Sequence, residues 1–303
     1  MTAYHVLHET RYRYADEVVS SHNEAHLLPR TLATQTPSHV ELRIDPTPDS
    51  VRWHRDYFGN DVVFFNLQTA HRELTIRTES DVALDPTRSF DSARSTPWEE
   101  VAATVRTDRS PAALEAFEYV FDSPFVAASE ALAAYARPSF VPGRPIAEAV
   151  LDFAHRIHAE FHYDPEATTL DTPVEEALRD RHGVCQDFAH VMIGGLRSLG
   201  LPARYVSGYL KSGRAAQPDA PSEEGDLVGS EASHAWIAAW CPRLGWIEVD
   251  PTNDVVPSDR HIVLAWGRDY DDVSPVKGVT VGGGSHTVEV AVSVTPVDEP
   301  LPG

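Results

Sequence analysis

Cys185, His234 and Asp250 are the residues whose types and order could carry out thiol-based acyl transfer. A cysteine thiolate can attack a carbonyl carbon, an imidazole can move the proton, and a carboxylate can hold that imidazole in the required tautomer. Each residue also has an ordinary explanation, as a small buried hydrophobe, a structural histidine or an aspartate at a strand end. The surrounding pattern decides between these explanations, because acyl transfer requires all three side chains in one place.

The sequence around Cys185 predicts the first turn of a helix. Gly183 allows a sharp entry, apolar residues recur at helical spacing from Phe188 to Leu199, and Gly200 ends the pattern. The amides of a first turn have no partners inside the helix, and the helix dipole favours negative charge there. We therefore expect a stabilised thiolate and a set of amides that can hold an oxyanion.

His234 and Asp250 are predicted to lie side by side on two neighbouring strands. The sequence SHAWIAAW places His234 on one strand face with Trp236 and Trp240, in an apolar setting that could exclude water. Asp250 ends the next strand, GWIEVD, which follows a tight CPRLG turn. A two-stranded ribbon with that short connection would return Asp250 to His234.

The remaining elements predict an α+β chain in three parts. Residues 1–95 contain short strands, such as HVELRIDP, VVFFNLQ and LTIRTESDVAL, and predict an N-terminal antiparallel β-sandwich. Residues 96–144 are alanine-rich and predict a helical connector, with Ser110 as a helix cap. Residues 145–303 begin with helices, one of them capped by Thr172, and continue with three strands.

The composition excludes several classes of function. The chain has 303 residues, 46 acidic and 25 basic, and its formal charge of -21 repels nucleic acid and anionic lipid. No apolar run approaches the roughly 20 residues that span a bilayer, and the first residues do not resemble a signal peptide. Two cysteines do not make a disulfide framework, and Cys241 is predicted to be an unreactive thiol. We predict a cytoplasmic protein without nucleic-acid or membrane partners.

Clusters of histidine could suggest a metal site. Four histidines are scattered over the N-terminal strands, where they are more often structural: His5, His8, His22 and His26. Asp187 and His190 stand three residues apart on the predicted cysteine helix and could form a local pair. Together with His182 and Cys185 they could imitate a zinc cluster, but these side chains do not all project the same way. We predict no metal and no cofactor.

Three ordered sequence blocks resemble the transglutaminase-like superfamily with its papain-type fold: GVCQDFAH, SHAW and VDPTN. The segments FHYDP, TPVEEALRDRHG and LGLPARYVSGYL resemble its bacterial members. HETRYRY, LLPR and FGN, near the N-terminus, resemble the domain that often precedes the core in bacteria. The resemblance covers roughly residues 1–95 and 145–275. It implies a catalytic core in residues 145–303, with the nucleophile at a helix N-terminus packed on an antiparallel sheet.

The resemblance also implies a role for each residue of the trio. Cys185 would be the nucleophile, His234 the general base and acid, and Asp250 the orienting carboxylate. A second oxyanion donor has no secure match, and Tyr163 is the candidate. No calcium loop of the form D-x-[DN]-x-[DN]-G occurs, so we predict no calcium requirement.

An acyl-enzyme on a cysteine can be resolved in two ways. Water would make the protein a cysteine peptidase or amidase, a hydrolase of a protein or peptide substrate, and this is the first prediction. An amine acceptor would make it an acyltransferase, either a protein-crosslinking or an amine transglutaminase. The third alternative is a non-enzymatic scaffold that retains the fold, and the intact trio argues against it.

A loop rich in acidic residues leads directly into His234. It runs from Asp219 to Ser233 and contains Glu223, Glu224 and Asp226. Its Gly, Pro and Ser content predicts mobility, and its charge would favour cationic substrates if the loop gated the cleft. The alternative is an ordinary solvated loop.

Overall fold

The structure of the chain, a computed structural model, describes residues 2–85, 90–170, 172–211 and 233–297. The carboxylates that were predicted to select substrates lie outside these residues: Glu223, Glu224 and Asp226. Within the described ranges the chain forms a seven-stranded sheet, a four-stranded sheet and six α-helices.

Five strands from the first third of the chain form most of the first sheet. They are β1 (Thr2–Ala25), β2 (Gln35–Asp45), β3 (Ser50–Arg55), β4 (Asp61–Leu67) and β5 (His71–Leu84). Their order across the sheet is β2-β5-β1-β4-β3, and every pair is antiparallel. Side chains along β5 alternate between more and less buried positions, as a half-buried strand requires. The antiparallel N-terminal sheet predicted from the sequence is confirmed.

Helices fill the middle of the chain. They are α1 (Trp98–Thr107), α2 (Pro111–Phe117), α3 (Glu130–Ala136), α4 (Ile146–Glu160), α5 (Val174–Asp180) and α6 (Cys185–Ser198). Ser110 caps α2 through its side chain, as its position before a proline predicts. Among the described residues, no helix is both long and apolar enough to cross a membrane.

The predicted cap of α5 is wrong by one residue. Pro173 occupies the N-cap position, with φ -62° and ψ 140°, and provides no side-chain cap. Thr172 lies one residue too early, and its hydroxyl accepts a hydrogen bond of 2.9 Å from the amide of Thr169 instead. The proline takes the extended conformation that the threonine would have needed to adopt at the cap.

The second sheet lies under the cysteine helix. The strands after α4 are β6 (His162–Tyr163), β7 (His182–Gly183), β8 (Ala203–Leu210), β9 (His234–Cys241), β10 (Gly245–Val249) and β11 (His261–Gly267). β6 and β7 form a short parallel pair, whereas the other four form an antiparallel sheet in the order β10-β9-β8-β11. Met192 of α6 and Ile237 of β9 belong to one hydrophobic core, so the predicted helix-on-sheet arrangement is confirmed.

α6 is the central element of this half of the molecule. Every residue from Cys185 to Arg197 is buried, because α3, α4 and α5 pack around the helix together with β8 and β9. The sequence indicated only one apolar stripe on α6, so it understated the burial. The apolar residues of α4 recur at helical spacing and form one buried stripe, since Ile146, Val150 and Ile157 are fully buried.

Two strands near the end of the chain return to the first sheet. They are β12 (Val276–Gly282) and β13 (His286–Pro296), and both pair antiparallel with β1. The sequence-based division placed these residues in the core of 145–303, whereas their hydrogen bonds join them to the N-terminal sheet. Their alternating valines indicate strands, but a strand pattern alone does not name a partner across so much chain.

β1 is long enough to serve two layers. Residues 4–13 pair with β5 on one side and with β13 on the other, whereas residues 21–25 pair with β4 and β12. The register with β5 shifts between Arg13 and Val18, where the strand changes direction. Phe65 of β4 and Ile76 of β5 meet in one hydrophobic cluster, so the two halves of the sheet pack on each other.

Side chains from the N-terminal region cover the free edge of β11. The Gln35 amide group donates to the carbonyl of Val263 at 2.7 Å and accepts from its amide at 2.8 Å. Asn60 does the same for Trp266, with two hydrogen bonds of 2.9 Å. Because β11 is the last strand of its sheet, these two amides take the place of a neighbouring strand.

Candidate active site

The thiol of Cys185 lies at the first helical position of α6, after the N-cap residue Val184. The Asp187 carboxylate accepts a hydrogen bond of 2.8 Å from the Val184 amide and another of 2.7 Å from the Thr168 hydroxyl. It thereby caps the helix from within and fixes the chain entry beside the cysteine. Cys185 is a free, buried thiol at the positive end of the helix dipole, a position where negative charge is favoured.

His234 and Asp250 form a fully buried pair. The imidazole Nε2 lies 2.9 Å from Asp250 Oδ2, and neither side chain is exposed to solvent. The register of the β9–β10 ribbon pairs Val249 with Ile237, so Asp250 emerges within reach of the first residue of β9. An ionised carboxylate can only accept hydrogen bonds, so Nε2 carries a proton and Nδ1 is left for the thiol side of the site.

The charges of the site act strongly on His234. Burial alone would lower the pKa of His234, but the Asp250 carboxylate and the Cys185 thiolate outweigh it and raise that pKa to about 10. Burial would likewise raise the pKa of Asp250, whereas the charge and hydrogen bond of His234 hold it well below its ordinary value. At neutral pH the site therefore favours a His234 imidazolium beside an Asp250 carboxylate.

Asp250 sits in a cage of donors, of which the sequence reasoning named only His234. Oδ1 accepts from the amides of Thr252 at 2.9 Å and Asn253 at 3.2 Å. Oδ2 accepts from the Asn253 side chain at 2.8 Å and faces His261 Nε2 at 3.3 Å. The sequence DPTN is a signal for the Asn253 turn, because aspartate commonly bonds the amides two and three residues on. No local sequence pattern predicts the contact of His261 with Asp250, because His261 lies on a different strand, β11.

Two tyrosines lie near the thiol. Tyr163, the predicted oxyanion candidate, is half-buried on β6 and pairs with Gly183, two residues before Cys185. Burial, and then the negative charge of Cys185, raise the pKa of Tyr163 to about 12. The same causes, in the same order, raise the pKa of Tyr205 on β8 well above its ordinary value. Both phenols therefore keep their protons and can act as donors, and Tyr205 was not predicted.

The remaining predicted side chains near the cysteine have structural partners. Asp187 caps α6, whereas His190 Nε2 accepts from the Tyr270 amide at 3.3 Å, so the predicted local pair between them does not form. Burial, with a contribution from Arg197, lowers the pKa of His190 to about 3. Within the ranges that the structure describes, no group of three or more His, Cys, Asp or Glu residues could hold a metal ion. Cys241 is a free, fully buried thiol.

Comparison with known proteins places this arrangement in a family. Residues 133–251 match the family model of the transglutaminase-like superfamily, and residues 4–83 match that of the bacterial transglutaminase-like N-terminal region. An uncharacterized protein of Mycobacterium tuberculosis is 39% identical over 303 residues, which cover 97% of this chain and 93% of that protein. The chain belongs to the transglutaminase-like superfamily.

Two further relatives of this transglutaminase-like protein differ in how much they cover. A protein-glutamine gamma-glutamyltransferase of Pseudomonas aeruginosa is 35% identical over 133 residues, 38% of this chain and 19% of that protein. A crystal structure from Cytophaga hutchinsonii, titled as a candidate cysteine protease, superposes with a TM-score of 0.75 at 19% identity. It covers 99% of this chain and 92% of that one, so the two proteins share the whole fold. The transglutaminase-like protein is thus a member of a family of cysteine-dependent enzymes.

Proposed function

We propose that this protein is a cysteine-dependent acyl-transfer enzyme that hydrolyses amide bonds, that is, a peptidase or amidase. Cys185 is the nucleophile, His234 the general base and acid, and Asp250 the orienting carboxylate. The observation that carries the proposal is the fully buried His234–Asp250 pair, 2.9 Å apart, on which the helix-terminal Cys185 acts through its charge. A buried ion pair of this kind is costly to maintain unless other groups offset its desolvation.

The reaction follows from the protonation states of these groups. The Cys185 thiolate attacks the amide carbon, a sulfur–carbon bond forms, and the carbonyl electron pair moves onto the oxygen. The first-turn amides of α6 face that oxyanion, with Tyr163 and Tyr205 as the candidate additional donors. The His234 imidazolium gives its proton to the leaving amine as the carbon–nitrogen bond breaks.

The acyl-enzyme is then hydrolysed, with His234 acting first as a base instead of an acid. His234, now neutral, takes a proton from water as the water oxygen attacks the thioester carbon. The carbon–sulfur bond breaks, the thiolate returns, and the carboxylic acid leaves. Asp250 holds the imidazole in the tautomer with the proton on Nε2, so that the Nδ1 lone pair faces the reacting groups. Its own proton affinity is too low for it to accept the proton.

Transamidation is the second candidate. It is favoured by the 35% identity of 133 residues to a protein-glutamine gamma-glutamyltransferase. A primary amine would attack the acyl-enzyme in place of water, and the product would be a new amide. The chemistry at Cys185, His234 and Asp250 is unchanged, so the access of water and amine to the acyl-enzyme decides the outcome.

One experiment separates the two candidates. The protein is incubated with an unfolded protein rich in glutamine, with and without a fluorescent primary amine. New peptide N-termini or free carboxylates support hydrolysis, and fluorescence attached to the substrate supports transamidation. Mass spectrometry after a rapid quench should find an acyl group on Cys185.

Two cysteine variants provide the controls. Cys185→Ala should lose all turnover, whereas Cys241→Ala, which removes the other buried thiol, should keep it. Full activity in the Cys185→Ala protein would refute the assignment of the nucleophile. Absence of any acyl-enzyme and any product with a broad set of amide substrates would favour the scaffold alternative.

We also propose a cytoplasmic location and a protein or peptide substrate. Both cysteines are free thiols, which a reducing compartment preserves. Cell fractionation with an antibody against the protein tests the location, and recovery of the protein outside the cytoplasmic fraction would refute it.

A further inference from the structure

We propose that His261 is a positioning residue for Asp250, so that the working unit is a chain of four side chains rather than three. The inference rests on the proposed function and adds a residue to it. His261 acts on the reacting atoms only through Asp250 and His234. The argument rests on the geometry around one carboxylate oxygen.

Two imidazoles share Asp250 Oδ2. His234 Nε2 lies 2.9 Å from that oxygen and His261 Nε2 lies 3.3 Å from it, with all three side chains almost entirely buried. Trp236 orders both rings, since it stacks on His234 at 6.2 Å and 28° and meets His261 edge-on at 5.3 Å and 83°. The carboxylate is thus held between two rings that one tryptophan keeps in place.

The hydrogen-bond chemistry makes His261 a donor to Asp250. An ionised carboxylate only accepts, so His261 must donate through Nε2, and a neutral ring suffices for this. Its Nδ1 is buried and has no hydrogen-bond partner among the described residues. The ring therefore serves as a fixed donor that shares the negative charge of Oδ2 and restricts the rotation of the Asp250 carboxylate.

The N-terminal region fixes His261 in turn. His261 is the first residue of β11, and Gln35 binds both backbone polar groups of Val263 two residues further on. The backbone amide of Arg30 donates to the same Val263 carbonyl at 3.1 Å. β11 is consequently held from outside its own sheet at the point where it supplies the second donor to Asp250.

The titratable groups in contact with Asp250 come from two elements. His234 faces it from β9 and His261 from β11, and Cys185 of α6 acts on His234 from the other side. When the His261 donor is removed, the negative charge of Asp250 Oδ2 is shared with one donor fewer and interacts more strongly with His234. The imidazolium is then more stabilised, so it should lose its proton at a higher pH.

The test measures alkylation of Cys185 by iodoacetamide across pH, because this readout requires no substrate. Peptide mass spectrometry separates Cys185 from Cys241. In His261→Phe, which keeps a flat ring but removes the donor, the alkaline step of the profile should move up by about one pH unit. His261→Gln places an amide donor near the position of Nε2 and should return the step close to that of the parent protein.

Turnover provides a second arm once a substrate is found. In His261→Phe kcat should fall roughly tenfold with little change in KM, because the carboxylate no longer holds one orientation. A residue that only fills space would lower the melting temperature and leave the alkaline step where it was. If His261→Phe does not fold, His261→Met removes the same donor with a flexible side chain.

The possible failures are distinguishable. The proposed function itself would be refuted if alkylation of Cys185 in the parent protein showed no alkaline step. It would also be refuted if that step persisted in His234→Ala. If the parent protein shows that step, and His261→Phe shows it at the same pH with the same turnover, only the role of His261 is overturned. An alkaline step at the same pH in His261→Phe and His261→Gln would also overturn the role of His261.

Discussion

The Asp187 carboxylate fills the space beside Gly183 that any β-carbon at residue 183 would occupy. The same carboxylate caps α6 through the Val184 amide. A glycine two residues before the nucleophile is therefore a requirement of the helix cap, and the position of Cys185 depends on it.

Gly183→Ala should destabilise the protein and impair its activity. The new β-carbon displaces Asp187 from the cap, which costs about 1–2 kcal/mol, and the positive φ of residue 183 adds backbone strain. Urea denaturation measures the free energy of unfolding. Gly143→Ala is the matched control, because Gly143 also has a positive φ but has open space around it. Equal losses in the two variants would show that the contact with Asp187 has no effect.

Asp250→Asn should separate catalysis from folding. The amide keeps the shape of the carboxylate but can favour the wrong imidazole tautomer, so kcat should fall by about 10³–10⁴-fold. Asp254→Asn is the control, since Asp254 is a neighbouring acidic residue that bonds the exposed His155 at 2.7 Å instead. Its activity should be that of the parent protein. If folded Asp250→Asn turned over normally, Asp250 would be a structural residue only.

Stability should depend on pH through the His234–Asp250 pair. The pKa of His234 is raised from 6.5 to about 10, so its contribution is complete below pH 6.5 and is lost as the pH rises through about 10. The pKa of Asp250 is lowered, so its contribution is present above its ordinary value of 3.8 and is lost as the pH falls below it. Denaturation at several pH values should show the alkaline decline.

The control for this pH dependence removes the partner charge. In Asp250→Asn the decline between pH 6.5 and 10 should be much smaller, because the imidazolium has lost its carboxylate. His155→Gln, which removes an exposed imidazole paired with Asp254, should leave the decline unchanged. A parent protein of constant stability over that range would contradict the raised pKa of His234.

Gln35→Ala should weaken the junction between the two sheets. The Val263 amide loses its partner, whereas the Val263 carbonyl keeps the Arg30 amide as its donor, and burial makes this loss worth about 1–3 kcal/mol. Hydrogen exchange should show faster exchange of the Val263 amide in particular. Gln68→Ala alters an exposed glutamine and should change neither quantity. Unaltered exchange at Val263 would mean that other groups hold β11.

The sequence was most informative where structure is local. Gly183 and the apolar spacing that starts at Phe188 place Cys185 at the first turn of α6, and the tight turn between β9 and β10 brings Asp250 to His234. Both relationships span few residues, so period and turn chemistry are enough to predict them. The fold class follows from the same reasoning, since the antiparallel first sheet and the helix on the second sheet were both predicted.

What the sequence did not indicate depends on distant contacts. The approach of His261 to Asp250 requires β11 to lie beside β8, and that order is fixed partly by Gln35 from the first sheet. Nothing in the alternating valines of β12 and β13 identifies β1 as their partner. The proximity of Tyr205 to the thiol likewise arises from packing of β8 beneath α6 rather than from any local pattern.

The return of β12 and β13 to β1 sets an order of events during translation. β1 is made before every other described strand, whereas β13 is made after all of them. Residues 4–13 of β1 can pair with β5 early, but their other edge stays open until β13 has been made. A nascent chain therefore carries an unpaired strand edge while the catalytic half is synthesised, and such edges attract other chains. We expect closure by β13 to be a late step that protects newly made protein from self-association.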